Sequence, residues 1–341
     1  MNFNLFIYKI TRFEFWPYWF FYLPTVPYVL YLMIKARKAT YFTNVNPAMY
    51  LSGITNVSKS EILSKLPKKY TIKSKLILRE KISSEELIKT LKNEFAFPII
   101  VKPNMGERGK GVEKINSLNH FNSIKHKYQE DIIIQDYIDF EHEFGVMYYR
   151  IPGTEEYKVT SIVEKGFLEV KGDGKQSVRE LLLHNKRALI VWDYLEEKLH
   201  DTWNYIPEKG EEVQPQPIGN HCKGTMFKDA NNLNNSKVTE LFHNISKEYA
   251  GFNYGRYDVK VKSLEDLETG DNLKIMELNG VTSEPAHVYD PKMPLWKAYR
   301  DVYQHFKIVY KISIANSKLG YKTAPWKEFV GLMRMHYLKT V

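Results

Sequence analysis

"GRYDVKV" at 255–261 and "ELNG" at 277–280 each place polar side chains two positions apart: Arg256 and Asp258 in the first, Glu277 and Asn279 in the second. Residues i and i+2 of a strand share one face. Read as strands, the two stretches line adjacent faces with a guanidinium, two carboxylates and an amide, although their neighbours ("YDVKV", "KIMEL") are largely apolar. Burying carboxylates without partners is costly. Two arrangements relieve that cost. One is a cation: Mg²⁺ takes one or two carboxylates together with substrate phosphates, and Asn279 offers a neutral oxygen beside Glu277. The other is a closed arginine–carboxylate network with no metal. The pair alone leaves both open.

Upstream, "FPIIVKPNMGERGKGVEKI" (97–115) reads as a buried strand ending at Lys102, followed by a loop with Gly106, Gly109 and Gly111. Glycines let backbone N–H groups approach phosphate oxygens closely, and Lys102 with Arg108 or Lys110 supplies charge. No G-K-[ST] opens a helix, so this is not a Walker A loop; a plain hairpin turn with solvated charges is the competing reading. "IIIQDYIDFEHEFGVMYY" (132–149) runs from an apolar strand through a polar connection into a second strand at Glu143. Such a connection offers backbone groups to a flat base and a carboxylate to ribose hydroxyls; a strand, loop and strand of no special function fits equally well.

The remaining pattern mixes helices and strands. A short helix near 57–65 is capped by Asn56 or Ser58. A strand covers 71–78, helices 83–95 and 117–128, and strands 158–165 and part of 167–178. Helices follow near 177–185 and 191–199, then a loop-rich stretch (203–235), a helix at 236–249 and a helical tail (291–341). This is an α+β pattern, and the absence of a G-x-G-x-x-G turn argues against a dinucleotide-binding βαβ unit. The chain divides into 1–50, 51–290 and 291–341.

Taken in order, "FPIIVKPNMGERGKGV", "IIQDYIDFEHEFGV" and "YGRYDVKV…KIMELNG" resemble the ATP-grasp superfamily, and within it the D-alanine–D-alanine ligase-like branch. The resemblance spans roughly 55–290. It implies a fold of two α+β lobes gripping ATP, with ATP and Mg²⁺ (or Mn²⁺) as cofactors. It also implies activation of a carboxylate as an acyl phosphate and its transfer to an amine or similar nucleophile. By position, Lys102 and Lys59 resemble the lysines that meet the nucleotide, with Lys73 and Lys75 competing for the role of Lys59. Gly106, Gly109, Lys110 and Gly111 belong to the loop over the phosphates. Gln135, Asp136 and Ile138 sit where adenine is held, and Glu143 matches the ribose carboxylate. Asp258, Glu277 and Asn279 match the metal ligands, and Arg256, with Lys102, the groups acting on the transferred phosphoryl. An ATP-grasp kinase and a non-catalytic nucleotide-binding module are the alternatives. "EVKGDGKQSVREL" (169–181) also resembles a stretch of cyanophycin synthetase-like ligases. Two parts depart from the D-alanine ligase pattern: the loop "GVTSEPAHVYDP" (280–291), and the start of the chain, where no parallel α/β unit is evident.

That start is unusual in composition. "FEFWPYWFFYLPTVPYVLYLMI" (13–34) holds ten aromatic residues, three prolines and Glu14, and "KARK" (35–38) follows. Prolines break helical hydrogen bonds that lipid does not replace, while Trp and Tyr favour the headgroup level and lysines meet anionic phosphates. The segment is expected either to dip into one membrane face or to pack as a helical hairpin on the body or on a second copy. Mean hydropathy is −0.42. The formal charge of +9 suits an anionic partner, yet no RNA-binding motif is present and nucleic acid is not an expected partner. The single cysteine, Cys222, excludes an internal disulfide; beside His221 it makes a poor metal site. His287, a lone histidine, is either structural or part of an acceptor pocket. The expected partners are a small-molecule or lipid-linked carboxylate, an amine acceptor, a membrane surface and a second copy in a homodimer. The expected location is cytoplasmic, peripheral on the inner face of the membrane.

Overall fold

The computed structural model describes all residues except 1–2, 56, 107–108, 200–201, 216–218, 220–223 and 341. Asn56, Arg108, His221 and Cys222 therefore lie outside the described residues.

The three prolines of the aromatic segment divide it into short helices. α1 is Phe3–Ile10, α2 is Tyr18–Tyr22 and α3 is Val26–Ala36. Pro17 stands at the N-cap of α2 and Pro27 in the first turn of α3, where a missing N–H costs no helical bond. Among the described residues no helix is long and apolar enough to cross a membrane.

The first lobe comprises α4 (Lys59–Ser64), β1 (Ser74–Ile77), α5 (Glu85–Glu94), β2 (Ile99–Pro103), β3 (Glu113–Ile115), α6 (Leu118–Ile124) and β4 (Ile132–Asp136). Its helices begin at serine caps: Ser58, Ser84 and Ser117 accept from Glu61, Leu87 and His120 N–H, each a cap of about 1 kcal/mol. The sheet is antiparallel, in the order β1-β4-β2-β3. Alternation sends Ile99, Val101, Ile132 and Ile134 into a core with Leu87, Leu91 and Phe121. The other face carries Lys102, opposite Ile133, and Gln135, opposite Ile100. Two predicted elements are shorter than their patterns. The strand at 71–78 is confined to Ser74–Ile77, and the helix at 117–128 tightens into a 3₁₀ turn after Ile124.

The second lobe opens with β5 (His142–Arg150) and β6 (Tyr157–Gly166). A small unit follows, with β7 (Val170–Lys171), α7 (Val178–Leu183), α8 (Lys186–Ile190), α9 (Trp192–Lys198) and β8 (Glu212–Val213) around Val178, Leu182, Leu195 and Trp203. Extended structure in 167–178 is thus limited to two residues. The stretch 203–235 is not all loop: β9 (Met226–Asp229) closes one edge of the main sheet. The chain continues through α10 (Ser236–Glu248), β10 (Tyr254–Val261), α11 (Asp266–Thr269) and β11 (Leu273–Asn279) to α12 (Leu295–Lys318) and α13 (Trp326–Thr340).

The main sheet is antiparallel, in the order β11-β10-β5-β6-β9. Its two faces differ. One buries Phe144, Val146, Tyr257 and Val259 against Phe242 and Ile245 of α10 and Ile62 and Leu63 of α4. On the other face, one end is apolar: Met147, Tyr149, Ile151 and Tyr254 are covered by Leu32 of α3 and Ile308, Val309 and Ile312 of α12. The opposite end of that face is polar and looks toward the first lobe.

Candidate active site

The polar end is built by register. Arg256 pairs across the sheet with Asn279, and Asp258 with Glu277, so the four residues form a square on two neighbouring strands. A β-bulge follows at once, with Val259 opposite Ile275 and Met276 extra. A bulge leaves a backbone group unpaired. Here it is the Met276 carbonyl, which accepts from Lys102 Nζ across the cleft at 3.2 Å. The bulge therefore both ends the square and ties the two lobes.

Asp258 is buried. Arg256 Nε donates to its Oδ1 at 2.9 Å, and Lys165 Nζ lies 3.5 Å from its Oδ2. Burial works against its ionisation, but Arg256 and Lys165 outweigh it and hold the carboxyl below its ordinary range. Lys165, on β6, also donates to Glu143 at 2.7 Å. Burial disfavours its charge, yet Asp258 and Glu143 keep its pKa above the usual lysine value. Lys165 was not singled out from the sequence. It ends an alternating strand, where a lysine ordinarily reads as solvated; only the register with Glu143 reveals its direction.

Facing this wall, Lys102 donates to Gln135 Oε1 at 3.0 Å. Burial lowers its pKa to about 8, with Lys59 adding to the effect and Glu277 opposing it. Lys59 Nζ lies 3.4 Å from Glu277 Oε1 and donates to the Gly106 carbonyl. Lys73 and Lys75 instead turn to Glu94, on the far side of the small sheet. Asn104 anchors the glycine loop: its N–H donates to Asp131, and its carbonyl and Oδ1 accept from the N–H groups of Lys59 and Ser60. Gly109 and Gly111 are left-handed (φ +67° and +73°), and a Cβ on Gly111 would stand 2.8 Å from Pro103. Lys110 is exposed. Asp136 and Ile138 lie half-buried, at the end of β4 and in its connection to β5.

The set fits a nucleotide phosphate chain with a hard cation. Among the described residues no group of three or more His, Cys, Asp or Glu could hold a metal by itself, but Mg²⁺ needs only one or two carboxylates when phosphates complete its shell. Asp258, Glu277 and Asn279 would supply that donor set if a cation were bound with phosphates. Lys59, Lys102, Lys165 and Arg256 face Asp258, Glu277 and Glu143, so cations and carboxylates line the cleft together. Among the described residues Gln135 Nε2 is buried without a hydrogen-bond partner, a cost of about 1–3 kcal/mol that an acceptor oxygen or ring nitrogen would relieve.

Gly145 makes the square possible. It lies on β5 opposite Asp258, and a Cβ there would meet Val163 at 2.9 Å, Arg256 Cδ at 3.2 Å and Asp258 Oδ1 at 3.5 Å. Gly145→Ala is expected to cost about 1–3 kcal/mol in urea unfolding, as overpacking does. An unchanged unfolding midpoint would show that the strands take up the methyl without displacing Arg256.

His287 is not free to line a pocket. Its Nδ1 lies 2.7 Å from Ser161 Oγ and its Nε2 3.1 Å from Asp301 Oδ2, so it pins the loop after β11 to β6 and α12.

Residues 58–151 match the family model described as the RimK-like ATP-grasp domain. That stretch of the chain is similar to an ATP-grasp domain. The matched part runs from the cap of α4 to the end of β5. It includes Lys59, Lys102, the glycine loop, Gln135 and Glu143, and stops before β10 and β11. Among solved structures, the chain is similar to the D-alanine–D-alanine ligase from Bacillus anthracis, with 15% identity over 77% of this chain and 69% of that one and a TM-score of 0.45. It is similar to the D-alanine–D-alanine ligase from Coxiella burnetii, with 7% identity, 85% and 64% coverage and a TM-score of 0.44. It is also similar to a bifunctional glutathione synthetase from Pasteurella multocida, with 14% identity, 69% and 34% coverage and a TM-score of 0.36. The chain thus spans about a third of the glutathione synthetase's length. A comparison with curated proteins finds no match.

Proposed function

We propose that this chain is an ATP- and Mg²⁺-dependent ligase acting at a membrane surface. It activates a carboxylate as an acyl phosphate and joins it to an amine. The observation that carries this reading is the register of β10 with β11, which sets Arg256–Asp258 opposite Asn279–Glu277 next to the Met276 carbonyl that Lys102 reaches.

Asp258, Glu277 and Asn279 would hold Mg²⁺, which supplies charge neutralisation at the β- and γ-phosphates. Lys102 and Lys59 sit where they neutralise phosphate oxygens, and the glycine loop offers N–H groups over them. Gln135, Asp136 and Ile138 border the adenine position, and Glu143 the ribose. Arg256, held in plane by Asp258, presents its remaining N–H groups to the transferring phosphoryl and then to the oxyanion formed when an amine attacks. Such preorganised donors supply the largest part of catalysis of this kind. The cleft keeps water from the acyl phosphate, which would otherwise hydrolyse.

The test is ADP release with ATP, Mg²⁺ and a panel of carboxylates, with hydroxylamine present as a general amine. Carboxylate-dependent ADP with hydroxamate supports the ligase. A phosphorylated product without hydroxamate identifies a kinase, and ATP bound but never turned over identifies a binding module; either overturns the proposal.

A further inference from the structure

Eleven of the 26 exposed large apolar side chains among the described residues lie within 6–34. That is too dense to be scattered surface apolarity. The most exposed are Ile34 (77%) and Trp19 (68%), and Trp296, in the first turn of α12, reaches 69%. These side chains stand on anchored elements. Phe21, between Trp19 and Leu23, is buried against Tyr289 and Tyr299. Leu32 is buried two residues before Ile34, and Tyr28 meets Tyr303 edge-on at 5.0 Å. One side of the segment is thus docked on the body, and the other presents aromatic and aliphatic groups outward.

The exposed charge of this segment has one sign. Residues 4–40 contain Lys9, Arg12, Lys35, Arg37 and Lys38 against a single acid, Glu14. Glu14 is buried and paired with Arg187 at 2.5 Å, so it adds nothing to the surface. Arg300 stands over the Trp296 ring, with its charge paired to Asp301 at 2.8 Å. A basic face pressed on its own copy would place like charges together. Anionic headgroups complement it, and Trp and Tyr rings suit the headgroup level. The helices are short: the 11 residues of α3 reach roughly 16 Å, about half of a hydrocarbon core of about 30 Å. Such a segment lies in the interface plane.

We propose that α1–α3, together with Trp296, form a docking face for an anionic lipid surface. This deepens the membrane placement proposed above and is independent of the phosphoryl chemistry. The face also adjoins the site. Tyr22, at the end of α2, lies close enough to Glu284 and Tyr289 for both to act on its hydroxyl, and Tyr289 donates to Glu284 at 2.8 Å. Glu284 lies in the loop after Asn279, near enough for its charge to act on Arg256. A lipid-borne substrate would therefore meet the Arg256 side of the cleft without leaving the bilayer surface.

The test is sedimentation of the full chain with phosphatidylcholine vesicles and with phosphatidylcholine–phosphatidylglycerol vesicles. The expected result is binding to the mixed vesicles and at least about tenfold weaker binding to the neutral ones. Two variants, Trp19→Ser with Ile34→Ser, and Lys35→Glu with Arg37→Glu and Lys38→Glu, should each lose on the order of tenfold or more. Both should keep wild-type ATP affinity, since none of these residues lies in the cleft. Absence of binding to either vesicle overturns the proposal. Equal binding to both overturns the anionic assignment and leaves the membrane placement standing. Self-association in sedimentation velocity that the Trp19→Ser, Ile34→Ser variant abolishes, without vesicle binding, assigns the face to a second copy. None of these outcomes bears on ADP release, which tests the ligase separately.

Discussion

Asp258→Ala is expected to abolish carboxylate-dependent ADP release and to cost about 3–5 kcal/mol of stability, as removal of one partner from a buried ion network does. Asp258 is buried between Arg256 and Lys165. Without it, the guanidinium cannot shed its charge, and Lys165 keeps only Glu143. Lys165 then loses one of the two carboxylates that hold its pKa up, while the burial that opposes its charge remains. Its folded pKa should drop below the unfolded value. A lysine with a depressed folded pKa burdens the fold at every pH below that pKa, and the burden lifts as pH rises toward the unfolded value. The stability deficit of Asp258→Ala should therefore shrink toward alkaline pH, measured by urea unfolding at several pH values. A constant deficit would mean that Lys165 does not depend on Asp258.

The second large effect concerns Lys102. Burial lowers its pKa to about 8, from an ordinary value of 10.5. Below pH 8 the amine is charged and ready for phosphate. Above it, ATP must bind a neutral lysine or bring a proton with it. Affinity should fall on the order of tenfold per pH unit above about pH 8 until the pKa of the complex is reached. Titration calorimetry in buffers of different ionisation enthalpy should show proton uptake at pH 8.5 to 9. Lys102→Met should flatten the profile and lower turnover by about 10²–10³, the usual loss when one preorganised donor is removed. The sign for stability is opposite. The free chain should gain stability between about pH 8 and 10.5, where the unfolded lysine holds its proton and the folded one does not. A pH-independent affinity would place Lys102 away from the phosphates.

The outcome differs between elements for physical reasons. Period-two spacing announced that Arg256 and Asp258 share a face, and the matching spacing of Glu277 and Asn279 did the same; register then placed the pairs opposite each other. The Ser58 cap, one of two candidates, and the Lys102 strand were equally legible, because their signals are local. The Met276 bulge was not, since nothing in "KIMEL" distinguishes a regular strand from one with an extra residue. Gly145 and Lys165 gain meaning only from strands far away in sequence. β9 was hidden because "MFKD" is short and sits on a sheet edge, where burial imposes little pattern. The aromatic segment showed its composition plainly. Which rings dock and which face outward depended on α12, more than 260 residues later.

The central claim is that β10 and β11 hold Mg²⁺–ATP. Titration calorimetry with a non-hydrolysable ATP analogue, with and without Mg²⁺, tests it most directly in the wild-type chain and in an Asp258→Asn, Glu277→Gln variant. The account predicts that Mg²⁺ strengthens wild-type binding by on the order of tenfold or more and that the variant loses this gain. Failure of the wild-type chain to bind the analogue, or a Mg²⁺ gain retained in full by the variant, would contradict it.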